Sequence, residues 1–542
     1  MTSAPHGAAT PSTDIVSKAE ERNVVFASSL GTVFEWYDFY LYAVLAPFFS
    51  KLFFPPGNDT AALLSAFVTY AAGFLVRPFG ALVFGRVGDI VGRKYTFIVT
   101  ISVMGAATFA IGLLPTFVTI GWAAPTLLTA LRLVQGLALG GEYGGAATYV
   151  AEHSPNSRRG YNTSWIQTTA TLGLLFALVV IGICRGTMNK FSFELWGWRI
   201  PFVVSLVLLV FSIYIRLKLQ ESPAFRRMKL EGRGSRQPLV DSFFRYPNNK
   251  YVLLALFGAT AGQGVVWYTG QFWALFFLGN TLKLDYVTVY MLIGASLVIG
   301  TPFFIFFGRL SDKVGRLKII LAGCVIAAAT YIPIFKGLTH FVNPRLEAFL
   351  DQTHVSVAAE DCHLHVFVGP WTEYTPCDTA RDTLTRLGVS FESLPAVPGE
   401  TVVVKIGDDE FKGWDKAIAA RVLDSLKAHG YPSAADPKDV NWGMTILLLI
   451  IMVLYVTMVY GPLAAYLVEL FPVNIRYTSM SLPYHIGNGW FGGMLPLVAT
   501  ALMAASGNIY QGLWYPIAVA VITAVVGAIA LRETPKNFDI HT

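Results

Sequence analysis

Twelve apolar stretches, each long enough to cross a bilayer as a helix, constrain this chain more than anything else in it. They fall at about 24–50, 61–85, 95–115, 124–151, 161–184, 199–216, 251–279, 286–308, 318–337, 443–471, 477–504 and 511–531. A span needs roughly 20 residues, and the bilayer core offers no water to the backbone, so such stretches form helices. Only 14% of the 542 residues are charged, against about 25% in soluble domains. Residues 1–23 are polar and small, with no apolar core ahead of a cleavage site, and read as a tail rather than a signal peptide.

Basic residues give the orientation. They crowd alternate short loops, as Arg86/Arg93/Lys94, Arg158/Arg159, the segment 217–250 and Arg309/Lys313/Arg316/Lys318. The other loops hold only Lys51, Arg185, Lys190, Arg199 and Lys283. The positive-inside rule then puts both termini in the cytoplasm. An internal repeat supports the layout. Gly85-Arg-Val-Gly-Asp89-Ile-Val-Gly-Arg93 returns as Gly308-Arg-Leu-Ser-Asp312-Lys-Val-Gly-Arg316. More weakly, Glu152-His-Ser-Pro-Asn-Ser-Arg-Arg159 returns as Glu469-Leu-Phe-Pro-Val-Asn-Ile-Arg476. The wider spacing of the second pair matches the polar region 340–441 inserted in the second copy. The expected fold is therefore an all-α membrane protein of twelve transmembrane helices. Its six-helix halves are 24–216 and 251–339 with 442–531, joined by a cytoplasmic loop, 217–250. An extracytoplasmic insert, 340–441, and a cytoplasmic tail, 532–542, complete the chain. Parallel repeats of this kind are a transporter architecture.

Few ionised groups remain at membrane depth: Glu35, Asp38, Arg77, Arg132 and Glu142, all in the first half. Such groups are costly in hydrocarbon and face a bundle interior or a wet cavity. Glu35 and Asp38 share a helix face, with Tyr42 one turn on. Arg132, Gln135 and Glu142 form one polar stripe. Three acids against two arginines leave one acid without a partner, and a buried unpaired carboxylate favours its protonated form. The second half offers neutral groups instead: Gln263, Trp267 and Gln271 on one helix face, and Tyr484, His485 and Asn488 on another. His485 reads as a second proton site or as a hydrogen-bonded core histidine. Gly140-Gly141 and Gly144-Gly145 read as close helix packing.

The repeated loop, Gly-x3-Asp-x2-Gly-Arg, resembles the signature of the major facilitator superfamily. Further segments are similar to its metabolite:proton symporter family, which includes 2-oxoglutarate, citrate, shikimate and proline/betaine carriers. They are Phe34-Glu-Trp-Tyr-Asp-Phe-Tyr40, Arg77-Pro-Phe-Gly80, the run from Arg132 to Gly145, and Trp196-Gly-Trp-Arg-Ile-Pro-Phe202. Two features depart from that family: the insert 340–441, and a short tail without the heptad-bearing extension of osmosensing proline/betaine members. The resemblance implies that Glu35 or Asp38 sits against Arg132 as a proton-coupling pair, the alternative role being a permanent structural ion pair. Protonation of the acid would free Arg132 to hold a substrate carboxylate. By the same analogy Asp89, Arg93, Asp312 and Arg316 are gating residues, while Arg77 lines the cavity or pairs Asp38.

The insert carries alternating stretches, His363–Val368 and Thr401–Lys405, and helix-like runs at Asp415–Lys427 and Thr379–Leu387. It reads as a small α/β module. Outside the cell, Cys362 and Cys377 are free to form a disulfide. A metal is disfavoured because the His/Cys spacing fits no standard site.

The expectation is a proton-coupled carrier in a bacterial plasma membrane, acting as a monomer and importing a small organic anion. No cofactor or nucleic acid is expected. A zwitterion substrate and a transporter-like sensor using the insert are the alternatives. No Gly-x4-Gly-Lys-Ser/Thr phosphate loop occurs, which disfavours an ATP-driven pump. No nucleophile–base grouping in the insert suggests an enzyme.

Overall fold

The structure is a computed structural model that describes residues 18–56, 58–90, 93–141, 143–217, 231, 237–365, 371–396 and 401–533. Among these, ten helical stretches are long and apolar enough to cross a membrane, from 59–87 to 511–530. Two further helices lie along the first apolar stretches: Lys18–Phe53, of 36 residues, and Arg93–Leu113, whose apolar part is Ile98–Leu113.

Several helices are broken where the sequence cannot sustain a regular ladder. Pro78 cannot donate to the carbonyl four residues back, so the second span divides into Asp59–Leu75 and Arg77–Ile90. Arg77 sits at that break. In the second half, π-helical turns interrupt the seventh and eleventh apolar stretches, at Leu256–Thr260, Thr269–Trp273, Phe277–Thr281 and His485–Gly493. Such wide turns concentrate at functional positions. Here they coincide with glycines that meet neighbouring backbone. A Cβ on Gly264 or Gly487 would overlap Gly487 O or Thr260 Oγ1 respectively. Gly140, Gly141 and Gly144 have the packing role expected of them. Side chains there would collide with Arg77 O, the Phe84 side chain and Ser481 Oγ.

The two halves meet along the bundle. The Arg159–Thr187 helix packs against Pro302–Val314, and Gly160 faces Gly308 so closely that a Cβ would lie 2.6 Å from the Gly308 carbonyl. The Arg476–Tyr484 helix lies against Arg77–Ile90.

The inserted region contains a four-stranded sheet, β1 Val355–Ala359, β2 Glu392–Leu394, β3 Val402–Ile406 and β4 Asp409–Lys412, in the order β2-β1-β3-β4. β1 and β2 are parallel, and the Pro376–Leu387 helix lies on the connection between them. β1 with β3, and β3 with β4, are antiparallel. The hairpin turns at Gly407-Asp408, where Gly407 has φ 54°, strained for any side chain. Val355, Val357, Val402, Val404, Leu384 and Val422 are buried in its core. The alternation at His363–Val368 suggests a strand, but His363, Leu364 and His365 are not in one, and 366–368 lie outside the described residues. Asp378 Oδ1 accepts the His363 N–H at 2.6 Å, which turns this stretch toward the helix instead of the sheet. Cys362 and Cys377 are joined by a disulfide that fastens the same stretch to the helix.

Candidate functional site

Two buried arginines define the centre of the first half. Arg77 and Arg132 are both fully buried. Their guanidinium carbons lie 4.2 and 4.4 Å from the Phe39 ring centroid. Arg77 also lies over Phe74 at 4.0 Å, and Arg132 over Tyr42 at 4.6 Å and Tyr70 at 5.2 Å. Aromatic faces attract such cations electrostatically, by about 2 kcal/mol when desolvated. Arg132 Nη1 donates to Gln135 Oε1 at 2.7 Å, and Gln135 Nε2 donates to Thr108 Oγ1 at 2.7 Å. Nε and Nη2 of both arginines lack hydrogen-bond partners among the described residues.

This arrangement corrects the Asp38 half of one expectation. Arg132 is held by Gln135 and by rings, not by Asp38. Asp38 is buried, with no ion pair and no partner for Oδ1 among the described residues. The physical reason lies in the helix face. Phe39, one residue from Asp38, occupies the direction in which both guanidiniums lie. Glu35 is also buried and lines a pocket with Thr32, Trp36, Arg77, Tyr143 and His485. The Tyr42 hydroxyl donates to Ala66 O at 2.9 Å, so only its ring faces Arg132. Glu142 and the side chains of Asp89 and Arg93 lie outside the described residues.

From the second half come neutral groups. Tyr484 stacks on Tyr143 of the first half with ring centroids 3.5 Å apart. Its hydroxyl bonds Tyr460 and accepts from Asn488 Nδ2, each at 2.8 Å. On the first-half side of that stack, Gln167 Nε2 donates to the Tyr143 hydroxyl at 2.7 Å. His485 is buried and lines the pocket, with its ring beside the Gly140 backbone of the first half. Gln263 is fully buried with both amide atoms unbonded among the described residues. Gln271 lies in the π turn after Tyr268, and its Nε2 reaches Thr171 Oγ1 of the first half at 3.1 Å. Trp267 stacks on Tyr40, which in turn stacks on Trp36, with centroids 5.4 and 5.1 Å apart.

A second cluster joins the halves at the end that carries the repeated loops. Glu469 takes Arg159 Nη1 at 2.5 Å and Arg316 Nη1 at 2.9 Å. Arg476 pairs with Glu152 at 3.5 Å. The weak repeat is thus reciprocal: each copy's arginine meets the other copy's glutamate. Asp312 accepts the Gly160 and Tyr161 N–H groups at 2.8 and 3.0 Å and bonds Arg316 at 3.2 Å. Sequence reasoning noted Glu152/Arg159 and Glu469/Arg476 only as a repeat. Their shared spacing was the available signal. The Phe39, Tyr70 and Phe74 cradle left no such mark, because apolar aromatics inside apolar spans look like packing. Among the described residues, no group of three or more His, Cys, Asp or Glu side chains is placed to hold a metal.

The shikimate transporter of Escherichia coli (strain K12) is 32% identical over 334 residues, covering 60% of this chain and 75% of that one. The alpha-ketoglutarate permease of the same strain is 34% identical over 320 residues, covering 59% and 72%. This chain belongs to the major facilitator superfamily. Within it, the chain falls in the metabolite:proton symporter family and is a multi-pass membrane transporter. Residues 24–241 match the family described as "Sugar (and other) transporter". A proline/betaine transporter of Salmonella typhimurium (strain LT2) is 35% identical over 331 residues, covering 59% and 65%. Among solved structures, the partially occluded inward-open xylose transporter XylE from E. coli aligns with a TM-score of 0.59. It shares 14% identity, over 95% of this chain and 99% of that one. At that identity the likeness speaks for the fold.

Proposed function

We propose that this superfamily member is a proton-coupled symporter that imports a small organic anion by alternating access. The observation that carries the reading is the separation of Asp38 from Arg77 and Arg132. Among the described residues Asp38 makes no ion pair, and two buried arginines of the same half keep unbonded N–H groups. In this reading Asp38 binds the proton, and the arginines grip the substrate through parallel charge-assisted bonds, a geometry that lysine cannot reproduce. Glu35 at the pocket wall couples the two, with Glu142 completing the stripe of Arg132 and Gln135. Gln263, Trp267, Gln271, Tyr484, His485 and Asn488 shape the other wall and supply neutral hydrogen bonds.

All twelve apolar stretches cross the bilayer in this reading. Both termini are cytoplasmic, region 340–441 lies outside, and the monomer transports. Asp312 and Arg316, with Asp89 and Arg93 in the first copy, gate the cytoplasmic end by making and breaking contacts between the halves. Names of relatives favour a di- or tricarboxylate or a cyclic acid, since shikimate and alpha-ketoglutarate carriers are among them. The Trp36–Tyr40–Trp267 stack supports a second reading, a betaine-like zwitterion, because aromatic faces also bind quaternary ammonium groups.

Uptake by proteoliposomes under an imposed inward proton gradient, across labelled carboxylates and betaines, tests this. Accumulation of one carboxylate that collapses with a protonophore is the expected result. Gradient-independent equilibration of every compound on the panel would overturn proton coupling.

A further inference from the structure

The inserted region is tethered to the second half at both ends. Asn343 Nδ2 bonds Leu282 O at 3.0 Å where the chain enters, and the Asn441 N–H bonds Phe341 O at 2.8 Å where it leaves. Its Pro376–Leu387 helix nevertheless reaches the first half. Asp382 Oδ1 accepts the Thr60 N–H at 2.6 Å, and Arg386 Nη1 lies 3.3 Å from Asp59 Oδ2. Thr60 lies in the first turn of the Asp59–Leu75 helix, where N–H groups have no intrahelical acceptor. Asn58 caps Ala61, and Asp382, from the other half, takes Thr60. On its second-half side the same helix sends Arg381 Nη2 to Ala505 O at 2.5 Å and Ala504 O at 3.3 Å. Just beyond it, the Phe391 N–H bonds Gly507 O at 2.9 Å.

One helix therefore straddles the seam between the halves, at the end opposite the Glu469 cluster. Beneath it lies a hollow lined by Thr60, Leu64, His365, Arg381, Asp382 and Ala504. The first-half grip is thus a few polar contacts around open space rather than a sealed apolar face. We propose that the insert is a built-in latch on this mouth of the transporter. Asp382 and Arg386 hold the tip of the Asp59–Leu75 helix, and the mouth opens only when they let go. The inference rests on alternating access, in which the halves rock apart at one end and then the other. It does not depend on the substrate or on proton coupling.

Phe67 reports the latch. It is buried and faces Phe276 of the second half with centroids 4.9 Å apart. A Phe67→Cys variant of the full chain is labelled with a membrane-impermeant maleimide, without substrate or gradient. A protein lacking that substitution supplies the background. Adding Asp382→Ala with Arg386→Ala removes a charge-assisted bond and an ion pair, and should raise the labelling rate about tenfold. Asp59→Arg alone should raise it less, and Asp59→Arg with Arg386→Asp should bring it back toward the starting rate. An unchanged or slower rate in the Asp382/Arg386 variant overturns the latch. So does a faster rate there that comes with a lowered melting temperature, if the charge swap also fails to slow labelling of the Asp59→Arg variant. Because no transport is measured, failure here leaves the symport reading standing, and failure of symport leaves the latch standing.

Discussion

The two halves descend from one repeated plan, yet they bury different chemistry. Around the centre, the first half buries Glu35, Asp38, Arg77 and Arg132, while the second presents Gln263, Trp267, Tyr484, His485 and Asn488. Only at the end carrying the repeated loops do the halves remain alike, with Arg159 on Glu469 and Arg476 on Glu152. The difference teaches a division of labour. On the proposed reading, symmetry persists where the halves part and rejoin, and it is lost where proton and substrate would be handled. A buried ion pair broken by removing one partner costs about 3–5 kcal/mol. Reciprocal pairs therefore suit an interface with two discrete states. A cavity suits groups whose N–H bonds are left for the substrate.

Substitutions on the two sides of the cavity should separate accordingly. Arg132→Ala should lower uptake about a hundredfold, since it removes a buried fork worth ~2.7 kcal/mol of substrate binding. Gln263→Ala, on the neutral wall, should raise the apparent KM about tenfold while the proton-to-substrate ratio stays unchanged in paired flux measurements. Loss of coupling in Gln263→Ala would erase the division between the halves. Asp312→Asn weakens the caps on Gly160 and Tyr161 at the shared interface. It should lower turnover severalfold, by about 1 kcal/mol, and leave substrate affinity in binding measurements unchanged. A selective loss of affinity would move Asp312 from gate to binding site.

Much of this was legible in the sequence, and the parts that were not share a cause. Hydropathy pointed to the long apolar helices, because it is a local pattern. Asp38 and Arg132 stood out because charge is rare at depth. Their separation was not legible. It depends on Phe39 turning toward both arginines, and no spacing rule distinguishes that ring from a packing residue. The contact of Gln271 with Thr171 joins two halves of the chain, which no helical period reveals. In the insert, the Pro376–Leu387 helix and β3 followed their propensities. His363–His365 did not, because Asp378 and the Cys362–Cys377 bond hold that stretch elsewhere. The contacts of Asp382 and Arg386 with Thr60 and Asp59 join residues more than 300 positions apart, beyond any local pattern.

Asp38→Asn in proteoliposomes is the most direct test. Asparagine keeps the shape and cannot exchange a proton. The account predicts that uphill accumulation driven by a proton gradient is lost, while exchange of labelled for unlabelled substrate continues at a rate within about threefold of wild type. Accumulation at the wild-type level in Asp38→Asn would contradict it.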